Sequence, residues 1–374
     1  MTFWHRFNTR LYRAYYRLRH RPQPAPAVDL KPADSKAVLY VAWGCIGDTI
    51  LSTGTLRHLR RAFPGCRVIY AGRPETRLVA ERFVDEFVAL DAIPQRAYEC
   101  IVGDIHLFYG GTQKLGGLLE ALPAKRKFVY EGYQLGDGLA PVRTYPRDFE
   151  VVPALTKPGD FLHVLHDYAH YFREVTRRWS GEAFVGDDLA PVLLAAPAEG
   201  YEDCIAWQPV TNNPKKDYPL ARWREVLAAF PDTTFVALGT AIETTGLDLP
   251  NVKDLCGKTD LAGALGIIAG ARGFLGLDSG LTHAAAWLGR PTVCVTQSSN
   301  LGYFFPYPDA FSRENVTTVD HPDYRICSGC FMTCKHESIF STYLRGSKCL
   351  RELPAAAVIE AVCERLAAPA AVTA

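Results

Sequence analysis

Residues 271–296, ARGFLGLDSGLTHAAAWLGRPTVCVT, read as a buried strand, a tight turn at Asp278-Ser279-Gly280, a helix opening over Leu281 to Ala286, and a second apolar strand. The glycine removes a side chain where a ligand has to approach. The helix that follows presents unpaired N–H groups and the positive end of its dipole toward that ligand. A phosphate or pyrophosphate suits such a turn. A plainer account has Ser279 capping the helix and His283 packing on its first turn, so the segment needs a counterpart elsewhere in the chain.

That counterpart is KAVLYVAWGCIGDTILSTGTLRHLRRAFPGCRVIYAGR, residues 36–73, which reads as strand, loop, helix and strand. Val38 to Ala42 are too continuously apolar for a strand with one wet face, and Ile50, Leu51, Leu56, Leu59 and Phe63 follow at helical spacing. The βαβ unit puts the loop from Gly44 to Asp48 at the carboxyl end of the first strand. Asp48 then sits at a helix start, where a carboxylate either complements the dipole or does chemistry. Further strands are predicted near Val68–Ala71, Glu86–Leu90, Cys100–Ile105, Cys204–Gln208 and Thr234–Leu238, with a helix over 163–179. The expected fold is α/β, two Rossmann-like domains facing a central cleft.

GCIGDTILSTGTLRHLRRAFP at 44–64 resembles the amino-terminal signature of the heptosyltransferase family, glycosyltransferase family 9. GKTDLAGALGIIAGARGFLGLDSGLTHAAAWLGRPTVCV at 257–295 resembles its carboxyl-terminal signature, and AWQPVTNNPKKDYPLARWREVLAAFPDTTFVALGTAIE at 206–243 a third motif between them. The resemblance implies a GT-B type fold and an inverting, metal-independent transfer of heptose from ADP-heptose to a hydroxyl of a lipopolysaccharide core or related glycan. It implies Asp48 as general base. It puts the donor on Lys216, Glu243, Asp278, Ser279, Gly280 and His283, with Glu243 on the ribose hydroxyls, and the acceptor near Gly47, Gly110, Gly111 and Lys114. Tyr218 stands where the family commonly has Trp. A protein acceptor, or a nucleotide-sugar-binding protein without turnover, remain the alternatives.

At 374 residues, 48% hydrophobic and with net charge +1, the chain has the length of two or three domains and no global charge that points to nucleic acid. The organisation expected is a basic amphipathic helix and Pro-rich linker over 1–35, an acceptor domain over 36–190, a nucleotide-sugar domain with its Cys cluster over 200–350, and a helix over 351–374 packing back on the first domain. Apolar runs are too short to span a bilayer and no signal-peptide core is visible, so a cytoplasmic protein is expected. In the first helix, Arg6, Arg10, Arg13 and Arg17 flank an apolar stripe of Trp4, Phe7, Leu11, Tyr15 and Leu18. Such a pattern fits a helix lying on the cytoplasmic face of an inner membrane, and equally one packed on its own protein.

Of 11 cysteines, Cys327, Cys330 and Cys334 lie close together and Cys349 follows after 14 intervening residues. The spacing suits a structural zinc or iron site. Reduced thiols and a disulfide are the other readings, and in none of them is a cofactor required for catalysis. His163, His166 and His170 have no such partner set and read as packing or surface positions.

Overall fold

The computed structural model describes residues 36–107, 113–131, 133–134, 140–141, 148–155, 162–186, 188–240, 247, 249–327 and 334–366, with Trp4, Phe7, Asn8 and Leu11 of the amino-terminal segment. Those four are helical, Asn8 buried and Trp4 exposed. The arginine face of that helix, Gly110, Gly111, Glu243 and Cys330 lie outside the described residues. The chain forms two units that part between Val192 and Leu193.

In the first unit, β1 (Ala37–Val41) is buried along its whole length and leads through Ala42–Cys45 into α1 (Ile46–Leu56). Then come β2 (Arg67–Gly72), β3 (Glu86–Ala89), β4 (Tyr98–Gly103), α2 (Gln113–Ala121), β5 (Ala124–Tyr130), β6 (Glu150–Val152) and α3 (Val164–Ser180). The six strands are parallel, in the order β3-β2-β1-β4-β5-β6. This is a doubly wound sheet whose strand order reverses between β1 and β4. The apolar spacing past Leu56 suggested one long helix, but α1 stops there and a short helix, Leu59–Ala62, follows. Ser52, Thr53 and Thr55 each turn a hydroxyl back to the carbonyl three residues earlier, which weakens the helical ladder. Gly54 completes this face. A Cβ there would stand 2.0 Å from the Leu189 carbonyl oxygen, in the chain that crosses to the second unit.

The second unit repeats the plan: β7 (Ile205–Trp207), α4 (Leu220–Ala228), β8 (Phe235–Ala237), β9 (Val252–Asp254), α5 (Leu261–Gly270), β10 (Gly273–Leu277), α6 (Gly280–Trp287), β11 (Thr292–Val295), β12 (Val316–Val319) and α7 (Ala355–Arg365). Its parallel strands run β9-β8-β7-β10-β11-β12, so β7 and β10 flank the second reversal. Asp260 caps α5 through the Gly263 N–H at 2.7 Å. The final helix, α7, packs on α4, β11 and β12. Its Val358, Ala361 and Val362 enter the apolar core of Trp207, Trp223, Leu275 and Val293. Among the described residues, no helix is long and apolar enough to cross a membrane.

Trp223 anchors this core. Its ring meets Trp207 and Tyr218 edge-on, with centroids 5.7 and 5.0 Å away, and its Nε1 donates to the Pro209 carbonyl at 2.9 Å. Trp223→Ala is expected to cost the second domain about 3–5 kcal/mol, read from its chemical-denaturation midpoint. A loss under about 1 kcal/mol would show that the aromatic cluster does not hold the domain.

Candidate active site

Both candidate sites lie at the carboxyl edges of the central strands. In the second domain, β7 and β10 pair Trp207 with Leu275, and the Gln208 N–H continues the ladder to the Leu275 carbonyl at 2.9 Å. This register brings Gln208 beside Ser279, whose hydroxyl bonds to Gln208 Oε1. Ser279 occupies the N-cap position of α6, yet its side chain does not cap the helix. The N–H groups of the first turn, at half-buried Gly280 and Leu281, therefore point toward whatever lies at the helix start.

Asp278, at the same turn, is buried. Asn213 opens a single helical turn, Pro214–Lys216, by accepting from the Lys215 N–H. That turn carries the Lys216 Nζ to 3.1 Å from both the main-chain oxygen and Oδ2 of Asp278. Asn300 Nδ2 donates to the same carboxylate oxygen at 2.5 Å. Burial opposes the charge of Asp278, but the Lys216 ammonium, His283 and the Asn300 amide outweigh it and hold the carboxyl below its usual range. Lys216 remains partly exposed, with Nζ 5.4 Å from the Phe304 ring centroid.

His283 turns inward. It stacks on Phe305 at 4.5 Å and 11°, and its Nδ1 lies 2.7 Å from the Tyr307 hydroxyl. Trp287 Nε1 donates to that hydroxyl at 3.0 Å. The packing role that the plainer sequence account assigns to His283 is thus realised.

In the first domain, Asp48 is the third residue of α1. Its Oδ2 accepts from the Cys45 N–H at 2.8 Å and completes a capping box. Gly44 makes room for this, since a Cβ there would lie 2.5 Å from the Asp48 Cβ. Gly47 is buried in the same first turn. The other Asp48 oxygen, Oδ1, faces His106 Nε2 at 3.9 Å. His106 comes from the end of β4, where Val41 pairs with Gly103 and Asp104 N–H donates to the Val41 carbonyl at 2.7 Å. Asp104 is held by the Tyr40 hydroxyl at 2.8 Å, accepts from the His106 N–H at 2.9 Å, and lies 3.4 Å from His106 Nδ1. From α3, Tyr168 donates to the Asp48 main-chain oxygen at 3.2 Å and sits 3.2 Å from His106 Nδ1. Burial disfavours an imidazolium here, but Asp48, Asp104 and Asp167 overcome it and raise His106 to about 9.

Lys114 lies in the first turn of α2, and Trp43 stands exposed on the loop before α1. Sequence reasoning missed Asp104, His106, Tyr168, Gln208 and Asn300. The signal for the first pair was a polar Asp-Ile-His closing the apolar run of β4.

Cys327, Cys334 and Cys349 are brought together around a small cavity that His336, Lys215 and Ser298 also line, with Cys327 Sγ 3.0 Å from His336 Nε2. No disulfide joins the described cysteines. Among the described residues, no group of three or more Cys, His, Asp or Glu is set to hold a metal ion. The segment also braces the turn that carries Lys216: Ser347 donates to the Lys215 carbonyl at 2.6 Å.

Residues 193–323 match the family model for glycosyltransferase family 9 (heptosyltransferase). No curated protein matches the chain by sequence. Among solved structures the chain is similar to the ADP-heptose LPS heptosyltransferase II of E. coli, at 16% identity and a TM-score of 0.59, with 88% of this chain and 98% of that one covered. It is similar also to a family 9 glycosyl transferase of Veillonella parvula (15%, TM-score 0.59, 90% and 97% covered) and to the E. coli heptosyltransferase WaaC with ADP (15%, TM-score 0.58, 88% and 99% covered). These likenesses show the fold, α/β of the GT-B type.

The depressed carboxyl of Asp278 carries a sign. Its charge stabilises the fold above the ordinary aspartate value of about 3.9, and the contribution is lost as pH falls through the lower folded value. Asp278→Asn is therefore expected to narrow the difference between denaturation midpoints at neutral pH and at pH about 3.5. An unchanged difference would show that the Lys216 pairing adds nothing to stability.

Proposed function

We propose that this glycosyltransferase, whose residues 193–323 match family 9, moves a heptose from ADP-heptose to a hydroxyl of a lipopolysaccharide core sugar or related glycan, inverting the anomeric carbon without a divalent ion. The observation that carries the reading is the second-domain turn: an uncapped helix start at Gly280 beside an ammonium, Lys216, that is partly exposed and pinned by Asp278. A diphosphate is the ligand this chemistry fits. The E. coli relative WaaC is described with ADP and with an ADP-2-deoxy-2-fluoro heptose, which supports the adenine nucleotide and the sugar.

In this reading the pyrophosphate lies over Ser279-Gly280 and draws on Lys216, while Glu243 takes the ribose hydroxyls. The acceptor approaches past Gly47, Gly110, Gly111 and Lys114, and exposed Trp43 offers a flat apolar face to a sugar ring. Asp48 takes the proton of the acceptor hydroxyl. That oxygen bonds to the anomeric carbon from the face opposite the diphosphate, the bond to the phosphate oxygen breaks, and its electron pair leaves with ADP. The helix N–H groups and the Lys216 ammonium receive the charge that develops on the leaving group. Asp278, His283 and Asn300 act by fixing these donors. The enzyme works in the cytoplasm against the inner membrane, where the arginines of its first helix meet anionic lipid.

Two measurements test the division of roles. ADP-heptose at a hundredfold excess over its dissociation constant adds about 2.7 kcal/mol to a protein that binds it, so it is expected to raise the melting temperature of the wild type. Lys216→Ala is expected to lose this shift. A stronger shift with a UDP, GDP or dTDP sugar would overturn the donor assignment. Asp48→Asn is expected to keep the shift while transfer falls about 10²–10⁴-fold. Unimpaired transfer by that variant would remove Asp48 from the chemistry, and no turnover of any nucleotide sugar by the wild type would leave a binding protein.

A further inference from the structure

We propose that His106 is the positioning residue of the base: as an imidazolium it fixes the free oxygen of Asp48 and holds that carboxylate ready to take the acceptor proton. The proposal rests on the transferase reading of Asp48. It goes beyond the roles derived above because nothing in the donor turn requires a charged histidine in the other domain.

The geometry leaves His106 little else to do. Asp48 spends Oδ2 on its own helix through the Cys45 N–H, so only Oδ1 is available for proton transfer, and Oδ1 is the atom that faces His106 Nε2 at 3.9 Å. The opposite nitrogen, Nδ1, meets Asp104 Oδ1 at 3.4 Å and the Tyr168 oxygen at 3.2 Å. Tyr168 gives its own proton to the Asp48 carbonyl, so its oxygen is an acceptor for Nδ1–H. Nδ1 thus has acceptors at hand, while Nε2 stands at ion-pair distance from Asp48 Oδ1, so it is the charge of an imidazolium that would tie the ring to that oxygen.

The charged and titratable groups around the ring come from every element packed on it: Asp48 on α1, Asp104 beyond β4, Asp167 and Tyr168 on α3, and Tyr40 on β1, which holds Asp104. Three carboxylates and one imidazole make a net negative cluster, and the raised proton affinity of His106 follows from it. The ring is buried and meets Tyr168 edge-on, with centroids 5.9 Å apart. When Asp48 takes the acceptor proton, it loses the charge that favoured the imidazolium. The pair therefore passes from net neutral to singly positive in the step, and no second proton has to move.

The test reads the pair directly and then its effect on catalysis. The imidazole of His106 in the full-length protein is titrated by NMR, in the wild type and in Asp48→Asn. A titration near 9 in the wild type that falls by at least about one pH unit in the variant is expected. A wild-type titration near the ordinary value of about 6.5, unmoved by Asp48→Asn, would overturn the proposal. For turnover, His106→Asn is expected to lower kcat about 10–100-fold with the KM for the nucleotide sugar unchanged, and to move the acid limb of the rate profile to higher pH, because a carboxylate without its cationic neighbour protonates more readily. A kcat loss with the acid limb unmoved would assign His106 to packing alone and overturn the proposal. If His106→Asn does not fold, Asp104→Asn serves in its place, with the same upward movement of the limb expected at smaller amplitude. Absence of turnover by the wild type with every nucleotide sugar would overturn the transferase premise, and the NMR titration distinguishes that failure from a failure of the pairing.

Discussion

Where a parallel sheet reverses its strand order, the chains leaving two adjacent strands run to opposite faces and open a crevice at their carboxyl ends. This protein has two such places, between β1 and β4 and between β7 and β10, and its functional side chains gather there. The buried ladder fixes the register: Val41 against Gly103 sets Asp104 and His106 beside the start of α1, and Trp207 against Leu275 sets Gln208 beside Ser279. Apolar burial of the central strands on both faces is what makes this register rigid, since a slip by one residue would exchange the side chains of the two packed faces. The chemistry of each site is therefore dictated by packing a full strand length away.

The two carboxylates at these places are treated in opposite ways. Asp278 is enclosed, and its oxygens are spent on Lys216 and Asn300, so it serves the shape and charge of the donor turn. Asp48 is only half committed, one oxygen capping its helix and the other facing His106. A carboxylate fully used by its surroundings is a poor proton acceptor, whereas one held by a single bond and a cationic neighbour is positioned yet available. The difference agrees with the proposal that the second domain binds the donor and the first takes the proton. The Cys-bearing segment supports the same turn, since its Ser347 bonds the Lys215 carbonyl.

Much of this was legible in the sequence. The continuous apolar runs around Val38–Ala42 and Phe274–Leu277, each followed by a Gly-containing turn and a helix, revealed the two βα units and with them Asp48 and Ser279. Partners supplied by a distant strand were not legible. His106 and Asp104 lie some 60 residues from Asp48, and Asn300 and Gln208 reach the donor turn from separate loops, so only the strand register brings them in. The sheet that receives the final helix was not legible either, because its apolar stripe says that it packs, not on which sheet. Glu243, Gly110, Gly111 and Cys330 stand as sequence readings alone.

Direct displacement by a hydroxyl that Asp48 deprotonates has one stereochemical consequence, whatever the acceptor proves to be. The anomeric configuration of the glycoside formed from ADP-heptose, read from its one-bond carbon–hydrogen coupling by NMR, should be opposite to that of the donor. A product with the donor's own configuration would require an intermediate or a front-face route, and would contradict both Asp48 as the base and the donor turn as the seat of the leaving diphosphate.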